Sequence, residues 1–217
     1  MNRIITYIFI IITIILLIYG FDKLISHKKS QLPGTNEQYY KIVSVPVPDT
    51  LFFAGEEMPL DIFYVREALE RELSVITYWH SSTLLLIKMS YRWFPMFDSI
   101  LEANGIPIDF KYLAVIESGL SNAVSPSNAV GFWQFLKGTA EENSLVIDKE
   151  VDERYHIEKS TEAACRYFNE SYEKFGNWTL VAAAYNAGNN GITKQFERQK
   201  SGSYYDLLLS DETPRYV

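Results

Sequence analysis

The first apolar run of the chain is long and uncharged. Residues 4–21 read IITYIFIIITIILLIYGF. A helix rising about 1.5 Å per residue over such a run nearly spans a hydrocarbon core of about 30 Å. We therefore predict an uncleaved transmembrane signal anchor over residues 1–21. A cleaved signal peptide is the alternative, but no small-x-small cleavage site follows the run.

Residues 22–60 have no regular apolar period. They contain the polar segment QLPGTN at 31–36, and then Pro46, Pro48 and Pro59 around the aromatic pair Phe52 and Phe53. Prolines at this density disfavour helices and favour extended backbone. We predict a tether over residues 22–60, extended and able to pack against the domain that follows.

From residue 61 onward, hydrophobic residues recur at helical spacing. The first set, at intervals of three and four, marks one face of a helix and comprises Ile62, Val65, Leu69, Leu73 and Ile76. A second helix is predicted to hold residues 84–89. Pro95 is predicted to open a third helix, which Gly105 ends.

The second half of the chain continues this helical period. Asp109 is predicted to cap a helix that runs to residue 117, and Ser160 or Thr161 to cap another. Apart from a short hairpin within 121–132, no alternating strand pattern is convincing there. The predicted fold class is mainly α, with one domain over residues 61–217.

A nearly all-apolar segment, WTLVAAAYNA, follows in residues 178–187. Gly176 is predicted to stop the helix before it, Asn177 to cap it and Gly188 to end it. A helix that is apolar around its whole circumference is normally buried. We expect it at the centre of the domain.

Composition narrows the function classes. The formal net charge is −7, which disfavours a phosphate-tracking nucleic-acid surface but not a neutral polymer such as a glycan. Cys165 is the lone cysteine, so no intramolecular disulfide or cysteine cluster can form. The three histidines, His27, His80 and His156, are scattered. We expect no metal site and no cofactor.

Glu117 is the candidate catalytic residue. It follows the apolar residues LAVI and lies on the same helix face as Phe110, Leu113 and Ala114. Apolar surroundings raise the pKa of a carboxyl group, as a general acid near neutral pH requires. The alternative is an acid at a helix end that points to water.

Three polar segments could recognise sugars, whose hydroxyl and acetamido groups need both donors and acceptors. They contribute Ser125 and Ser127, Gln134, and Tyr185 with Asn186. Each has an ordinary alternative: a solvated turn for the serines, core packing for the segment around Gln134, and a helix C-terminus for Tyr185 and Asn186.

The order of these segments carries more information than any one of them. Glu-Ser-Gly at 117–119 precedes Ser-x-Ser at 125–127, Gly-Phe-Trp-Gln at 131–134 and Ala-Tyr-Asn-x-Gly at 184–188. This order resembles the lytic transglycosylases of the goose-type lysozyme superfamily, most closely the membrane-bound lytic murein transglycosylase D group. The resemblance runs from about Val45 to the chain end, and it implies a lysozyme-like α domain with a glycan cleft.

The resemblance also implies a role for each matched residue. Glu117 matches the catalytic acid, Ser125 and Ser127 match polar residues that line the cleft, Gln134 matches the glutamine of a Gly-Leu-x-Gln motif, Tyr185 matches a tyrosine that hydrogen-bonds near the catalytic carboxylate, and Asn186 matches its neighbour. The implied setting is cell wall turnover in the bacterial cell envelope. There the N-terminal helix would anchor the chain in the membrane, and the catalytic domain would lie in the periplasm.

The expected reaction uses one carboxylate. Ordinary glycosidases use two, but the sequence after Glu117 has no acid until Glu141. We expect Glu117 to protonate the glycosidic oxygen between N-acetylmuramic acid and N-acetylglucosamine. As a base it would then deprotonate the C6 hydroxyl, which closes on C1 to give a 1,6-anhydro end.

Two alternatives stay open at this point. A lysozyme-like hydrolase would need a second acid to hold water, and the candidates are Asp148, Glu150, Asp152 and Glu153. A catalytically silent cell-wall-binding protein is the other.

The chain departs from the family pattern in two places. Leu136, Lys137 and Gly138 stand where a Met-Pro segment is usual, which alters a helix start near the cleft. Related domains also usually continue into another helix after the position of Val217. We therefore expect a C-terminally truncated domain in which residues 180–185 lack part of their cover.

Overall fold

The computed structural model describes Lys23, residues 43–200 and residues 203–207. Residues 44–217 form one structural unit, and residues 1–43 form another, of which only Lys23 and Val43 are described. The transmembrane anchor predicted over residues 1–21 lies outside the described residues. Within the part that is described, no helix is both long and apolar enough to cross a bilayer.

A small antiparallel hairpin opens the larger unit. Its strands are β1 (Phe52–Phe53) and β2 (Glu56–Glu57), with Phe53 opposite Glu56. Ala54 and Gly55 join them, both at positive φ (52° and 79°), which matches the backbone of a two-residue hairpin turn. We call residues 52–57 the N-terminal hairpin. The sequence pattern did not predict it.

Helices make up most of the described chain, which confirms the predicted mainly α fold class. In order they are α1 (Phe63–Tyr78), α2 (His80–Ala103), α3 (Lys111–Ser118), α4 (Lys137–Glu142), α5 (Ile157–Phe175), α6 (Trp178–Ala187) and α7 (Asn189–Gln199). Short 3-10 helices at Ile108–Phe110, Glu153–Tyr155 and Tyr204–Asp206 connect or follow them.

The main core is aromatic. Phe97 of α2, Phe110, Trp133 and Phe168 of α5 are fully buried. The Phe168 ring centroid lies 4.7 Å from that of Phe110 and 5.8 Å from that of Trp133. Because burying one large apolar side chain contributes about 1.5–3 kcal/mol, these rings hold α2, α5 and the loop around Trp133 together.

The α6 helix is central, as its apolar sequence predicted. Leu180 is 8% exposed and residues 181–184 are fully buried. Ile192 of α7 and Tyr204 pack against Leu180, Ala183 and Ala184. The expectation that this run lacks part of its cover is therefore wrong for residues 180–184, which α7, Tyr204 and the main core cover.

The predicted break at Pro95 is also wrong. Helix α2 runs through it from His80 to Ala103. A proline inside a helix removes the hydrogen bond to the carbonyl four residues earlier, here that of Tyr91. Both Pro95 and Tyr91 are exposed, so water can take the place of the missing donor.

Two other predicted helix starts had different outcomes. Asn177 caps α6 as predicted, because its side chain accepts a hydrogen bond from the Leu180 amide at 2.9 Å. Helix α5 starts earlier than predicted, with His156 as its cap. Thr161 lies inside α5, and its hydroxyl donates to the Ile157 carbonyl. The periodicity placed this helix correctly, but its cap is a histidine, which is not among the usual capping residues.

Candidate active site

Glu117 is the penultimate residue of α3, at the point where the chain reverses. Gly119 ends the helix in the left-handed conformation (φ 60°), and the buried Leu120 also has a positive φ of 58°. Leu113 and Ala114, on the face that Glu117 shares, are buried, whereas Glu117 itself is half-buried. The carboxylate therefore sits at the boundary between the core and solvent, as a group that must meet a substrate requires.

Ser118, next to Glu117, ties the end of α3 to the segment around Trp133. Its hydroxyl lies 2.9 Å from the Phe132 carbonyl oxygen and 3.1 Å from that of Ala114, and it accepts from the Ser121 amide. The sequence analysis did not single out Ser118. Its place in the Glu-Ser-Gly motif is the signal that could have found it.

Tyr185, near the end of α6, lies within electrostatic reach of Glu117. Burial raises the pKa of Tyr185 well above its ordinary value, and the negative charge of Glu117 raises it further. The phenol is therefore neutral, and its hydroxyl donates to the Trp133 carbonyl oxygen at 2.6 Å. The structure thus brings together α3, α6 and the segment around Trp133, which are far apart in sequence.

Trp133 and Phe132 belong to the core and not to a cleft wall. Both are buried, and the Trp133 indole nitrogen donates to the Thr161 hydroxyl at 2.9 Å. The Trp133 ring also packs against Phe97 and Phe168. Of the two interpretations offered by the sequence, core packing is the right one for these aromatics.

The side-chain amide nitrogen of Gln134 forms hydrogen bonds within the protein. The nitrogen donates to the Ala123 carbonyl at 3.0 Å and to the Gly131 carbonyl at 2.8 Å. Gln134 itself adopts a positive φ of 48°, a conformation that a non-glycine residue keeps only when its surroundings fix it. Its nitrogen therefore closes the loop of residues 123–134.

The two serines of the loop are placed differently. The Ser125 hydroxyl accepts from the Ala129 amide at 3.0 Å, and the Ser125 carbonyl accepts from the Asn128 amide. Ser127 is exposed between them. Ser125 thus shapes the turn, while Ser127 is the one open to solvent.

Arg154 also holds the loop of residues 123–134 in place. The sequence analysis did not identify this residue. It is 8% exposed and forms an ion pair with Asp152 at 2.7 Å. Another guanidinium nitrogen donates to the Asn128 and Phe135 carbonyls, at 3.0 and 3.1 Å. Because the loop carbonyls point at a fixed cation, the loop is held without a regular strand pair. Only single bridges, such as Val124 to Val130, form where a short hairpin was predicted.

Gly131 permits this close approach. Its φ is 85°, and a Cβ atom there would lie 2.2 Å from the Arg154 carbonyl oxygen. That distance is shorter than any real contact of a side chain, so the loop can pack on Arg154 only with glycine at this position.

The acids considered for a hydrolase have local partners. Asp148 accepts from the amides of Glu150 and Val151, and these bonds lower the pKa of its carboxyl. The Arg154 guanidinium lowers the pKa of Asp152, and Lys159 lowers that of Glu153. Three of the four are therefore held ionised by their own neighbours, and Glu150 is exposed.

The N-terminal hairpin completes the start of α6. The Glu56 carboxylate accepts from the main-chain amides of Trp178 and Thr179, at 2.6 and 2.9 Å, and from the side chains of Asn177 and Thr179. A carboxylate at a helix N-terminus satisfies free N–H groups and complements the helix dipole.

The same hairpin also contacts the turn before α3. The Ala54 amide donates to the Asp109 carboxylate at 2.8 Å, so Asp109 binds the hairpin and does not cap a helix as predicted. The helices that carry Glu117 and Tyr185 are therefore both joined to residues 52–57. Asn186, the last of the predicted site residues, follows Tyr185 in α6 and is half-buried.

Comparison with known proteins gives two findings. The family model described as "Transglycosylase SLT domain" matches residues 100–208, which include Glu117, the loop after it and Tyr185. The chain is also similar to the membrane-bound lytic murein transglycosylase D of Escherichia coli strain K12 and to that of strain O6:H1. Identity to each is 29%, over 79% of this chain. The chain spans 39% of the length of these curated relatives.

Proposed function

Because the chain belongs to the transglycosylase SLT domain family, we propose that it is a peptidoglycan lytic transglycosylase. It cleaves the β-1,4 bond between N-acetylmuramic acid and N-acetylglucosamine and leaves 1,6-anhydro ends. The two similar proteins are named membrane-bound lytic murein transglycosylases, which supports this substrate class and a place in the bacterial cell envelope.

The proposed mechanism runs through Glu117 alone. Its carboxylic acid protonates the glycosidic oxygen, and its carboxylate then accepts the proton of the C6 hydroxyl as that oxygen bonds to C1. The C6 hydroxyl is tethered to the reacting ring, so its attack has the entropic advantage of an intramolecular step. No water is consumed.

One observation carries the proposal: Glu117 is within electrostatic reach of the neutral Tyr185, while three of the four acids that could hold water for a hydrolase are bound by their own neighbours. Asp152 is paired with Arg154, and Asp148 accepts two main-chain amides. The neutral phenol can orient a sugar or Glu117, but it is a poor base because burial raises its pKa.

The remaining site residues have supporting roles in this proposal. Ser127, which is exposed in the loop, contacts the glycan, whereas Ser125 shapes the turn. Gln134 presents its side-chain oxygen toward the substrate while its nitrogen holds the loop. Asn186 orients the substrate beside Tyr185. Residues 1–21 anchor the chain in the membrane, with the catalytic unit in the periplasm.

Digestion of purified peptidoglycan in heavy-oxygen water tests the function. We expect 1,6-anhydro ends that carry no label, about 18 Da lighter than unlabelled hydrolysed ends and about 20 Da lighter than ends hydrolysed in heavy-oxygen water. Labelled reducing ends as the main product would assign the protein to the hydrolases. No cleavage at all would assign it to the silent binding proteins.

A Glu117→Gln variant tests the residue. The amide keeps the shape of the side chain but cannot cycle a proton, so we expect cleavage to fall by about 10²–10⁴-fold or more, with unchanged folding. Glu141→Gln, at the next acid along the chain and exposed on α4, is the matched control and should keep full activity. Cleavage at the wild-type rate by Glu117→Gln would contradict the assignment of Glu117 as the catalytic acid and base.

A further inference from the structure

A surface of large apolar side chains surrounds Trp79, the single residue between α1 and α2. We call it the Trp79 surface, and it comprises Val75, Ile76, Tyr78, Trp79, Leu84, Leu85, Ile87 and Tyr91, all exposed. Trp79 is 58% exposed, Leu84 67% and Tyr91 89%. The other exposed apolar side chains of the larger unit are spread over the rest of its sequence, whereas these eight fall within 17 residues.

Helix α2 is apolar on both of its faces here. Met89 and Trp93 pack against the main core, and Phe97 lies within it. On the opposite face Leu84, Ile87 and Tyr91, at intervals of three and four, point to solvent. Lys88, four residues after Leu84, shares this exposed face, so the face combines apolar side chains with a cation. This composition is typical of an amphipathic contact surface.

The joint at Trp79 is structured. The Thr83 amide donates to the Trp79 carbonyl at 2.9 Å, and the Thr83 hydroxyl donates to the Ile76 carbonyl at 2.8 Å. Tyr78 and His80 place their rings 6.2 Å apart. Trp79 is therefore held at the surface by the backbone around it.

The charge of this segment differs from that of the whole chain. Residues 73–97 contain no Asp or Glu but include Lys88 and Arg92, although the chain carries a net charge of −7. Lys88 lies one turn from Leu84 and Arg92 one turn from Lys88, and both are exposed. Neither forms a salt bridge within the described part of the chain.

We propose that the Trp79 surface docks on the surface of an anionic phospholipid bilayer. Trp and Tyr favour the interface between headgroups and acyl chains, aliphatic side chains enter below it, and cations bind anionic headgroups. The Trp79 surface has all three classes within residues 75–92. Helix α2 lies on the membrane and does not cross it, and the contact is independent of glycan cleavage.

The full-length chain in lipid vesicles tests the docking. Leu84→Cys carries an environment-sensitive fluorophore, and Val151→Cys, exposed in a loop of the same unit, is the matched control. The native Cys165 is buried, and its pKa is raised to about 12, so it stays unlabelled. With phosphatidylglycerol in the vesicles, brominated lipids should quench position 84 at least threefold more than position 151.

Charge reversal supplies the second arm. Lys88→Glu combined with Arg92→Glu should reduce the quenching at position 84 to that at 151, and so should vesicles of phosphatidylcholine alone. Equal quenching at the two positions in anionic vesicles would overturn the proposal. Unquenched fluorescence with energy transfer between two labelled chains would instead show that the Trp79 surface binds a second copy of the chain. A blue shift without lipid quenching would also overturn the proposal, because position 84 would then be shielded from water by protein and not by lipid.

Discussion

The Tyr185 hydroxyl donates a hydrogen bond of 2.6 Å to the main-chain carbonyl oxygen of Trp133, 52 residues earlier in the chain. The bond joins α6 to the loop that Arg154 and Gln134 hold from other sides. The same phenol is close enough to Glu117 for the carboxylate to raise its pKa. One side chain thus links the loop to the candidate acid.

Tyr185→Phe should therefore lower the cleavage rate by more than its loss of unfolding free energy explains. Loss of the hydroxyl leaves the Trp133 carbonyl without this donor, which costs about 1–3 kcal/mol of unfolding free energy, and it removes the phenol beside Glu117. We expect a 10–100-fold fall in cleavage rate, on the scale of one lost polar contact in a site.

Tyr167→Phe is the matched control, because the Tyr167 hydroxyl also donates to a main-chain carbonyl, that of Ala184, at 2.8 Å. It should lose a similar unfolding free energy in urea titrations and keep most of its cleavage rate. Equal activity losses in the two variants would mean that Tyr185 acts through stability alone.

Gly131→Ala should destabilise the loop. The new Cβ atom would meet the Arg154 carbonyl at 2.2 Å, and φ is 85°, so we expect a loss of about 1–3 kcal/mol or more. Gly138→Ala is the control, because Gly138 lies in α4 with no atom within 4 Å of its built Cβ. Alanine there should stabilise by up to about 1 kcal/mol. Thermal unfolding should separate the two substitutions by sign, and a neutral Gly131→Ala would contradict the packing described.

Glu56→Ala should destabilise the unit, whereas Glu57→Ala, at the neighbouring exposed residue, should not. Glu56 accepts four hydrogen bonds at the start of α6, and hydrogen bonds to a charged group contribute about 1.5–3 kcal/mol each before other losses are counted. We expect a loss of at least about 2 kcal/mol in urea titrations. Indistinguishable unfolding of the two variants would show that water replaces the carboxylate without cost.

The ion pair of Asp152 with Arg154 should make the free energy of unfolding depend on pH in the acidic range. Arg154 lowers the pKa of Asp152 in the folded protein below its ordinary value of 3.8. The resulting stabilisation is complete above that ordinary value and is lost as the pH falls through the lowered folded pKa. Asp152→Asn should thus be less stable than the wild type at pH 7 by about 1–2 kcal/mol.

The difference should shrink as the pH falls below 3.8 and through the lowered pKa of Asp152 in the folded protein, because both proteins then lack the charge. Asp61→Asn, at an exposed acid, should match the wild type at each pH. Urea titrations from pH 7 to pH 2 measure the three proteins side by side. A difference between wild type and Asp152→Asn that stays constant over this range would exclude the ion pair as its source.

Structural features that depend on neighbouring residues were predicted well from the sequence. Asn177 is a cap because its side chain reaches an amide three residues on, and Gly176 ends α5 because it adopts a positive φ. The burial of α6 followed from its apolar composition. In each case the cause and the effect lie within a few residues of one another, so a pattern can report them.

Contacts with main-chain atoms far along the chain could not be predicted. The partners of Arg154 are carbonyl oxygens 26 and 19 residues away, and any residue has such an oxygen. Whether the segment around Gln134 faces a glycan or the core stayed open, because sequence alone does not show which side of a loop faces the core; the structure buries Trp133 of this segment in the core. Glu117, Gln134 and Tyr185 were singled out as candidates through the order of their motifs, not through geometry.

The cap that Glu56 provides also constrains the order of folding. Its partner amide at Trp178 is 122 residues away, so the bond forms only after nearly the whole unit has been synthesised. Closing so long a segment costs chain entropy that local helices do not incur. A nascent chain can therefore form α1 and α2 early but cannot fix the start of α6 until late. The arrangement of Tyr185 against the loop is then one of the last parts of the protein to mature.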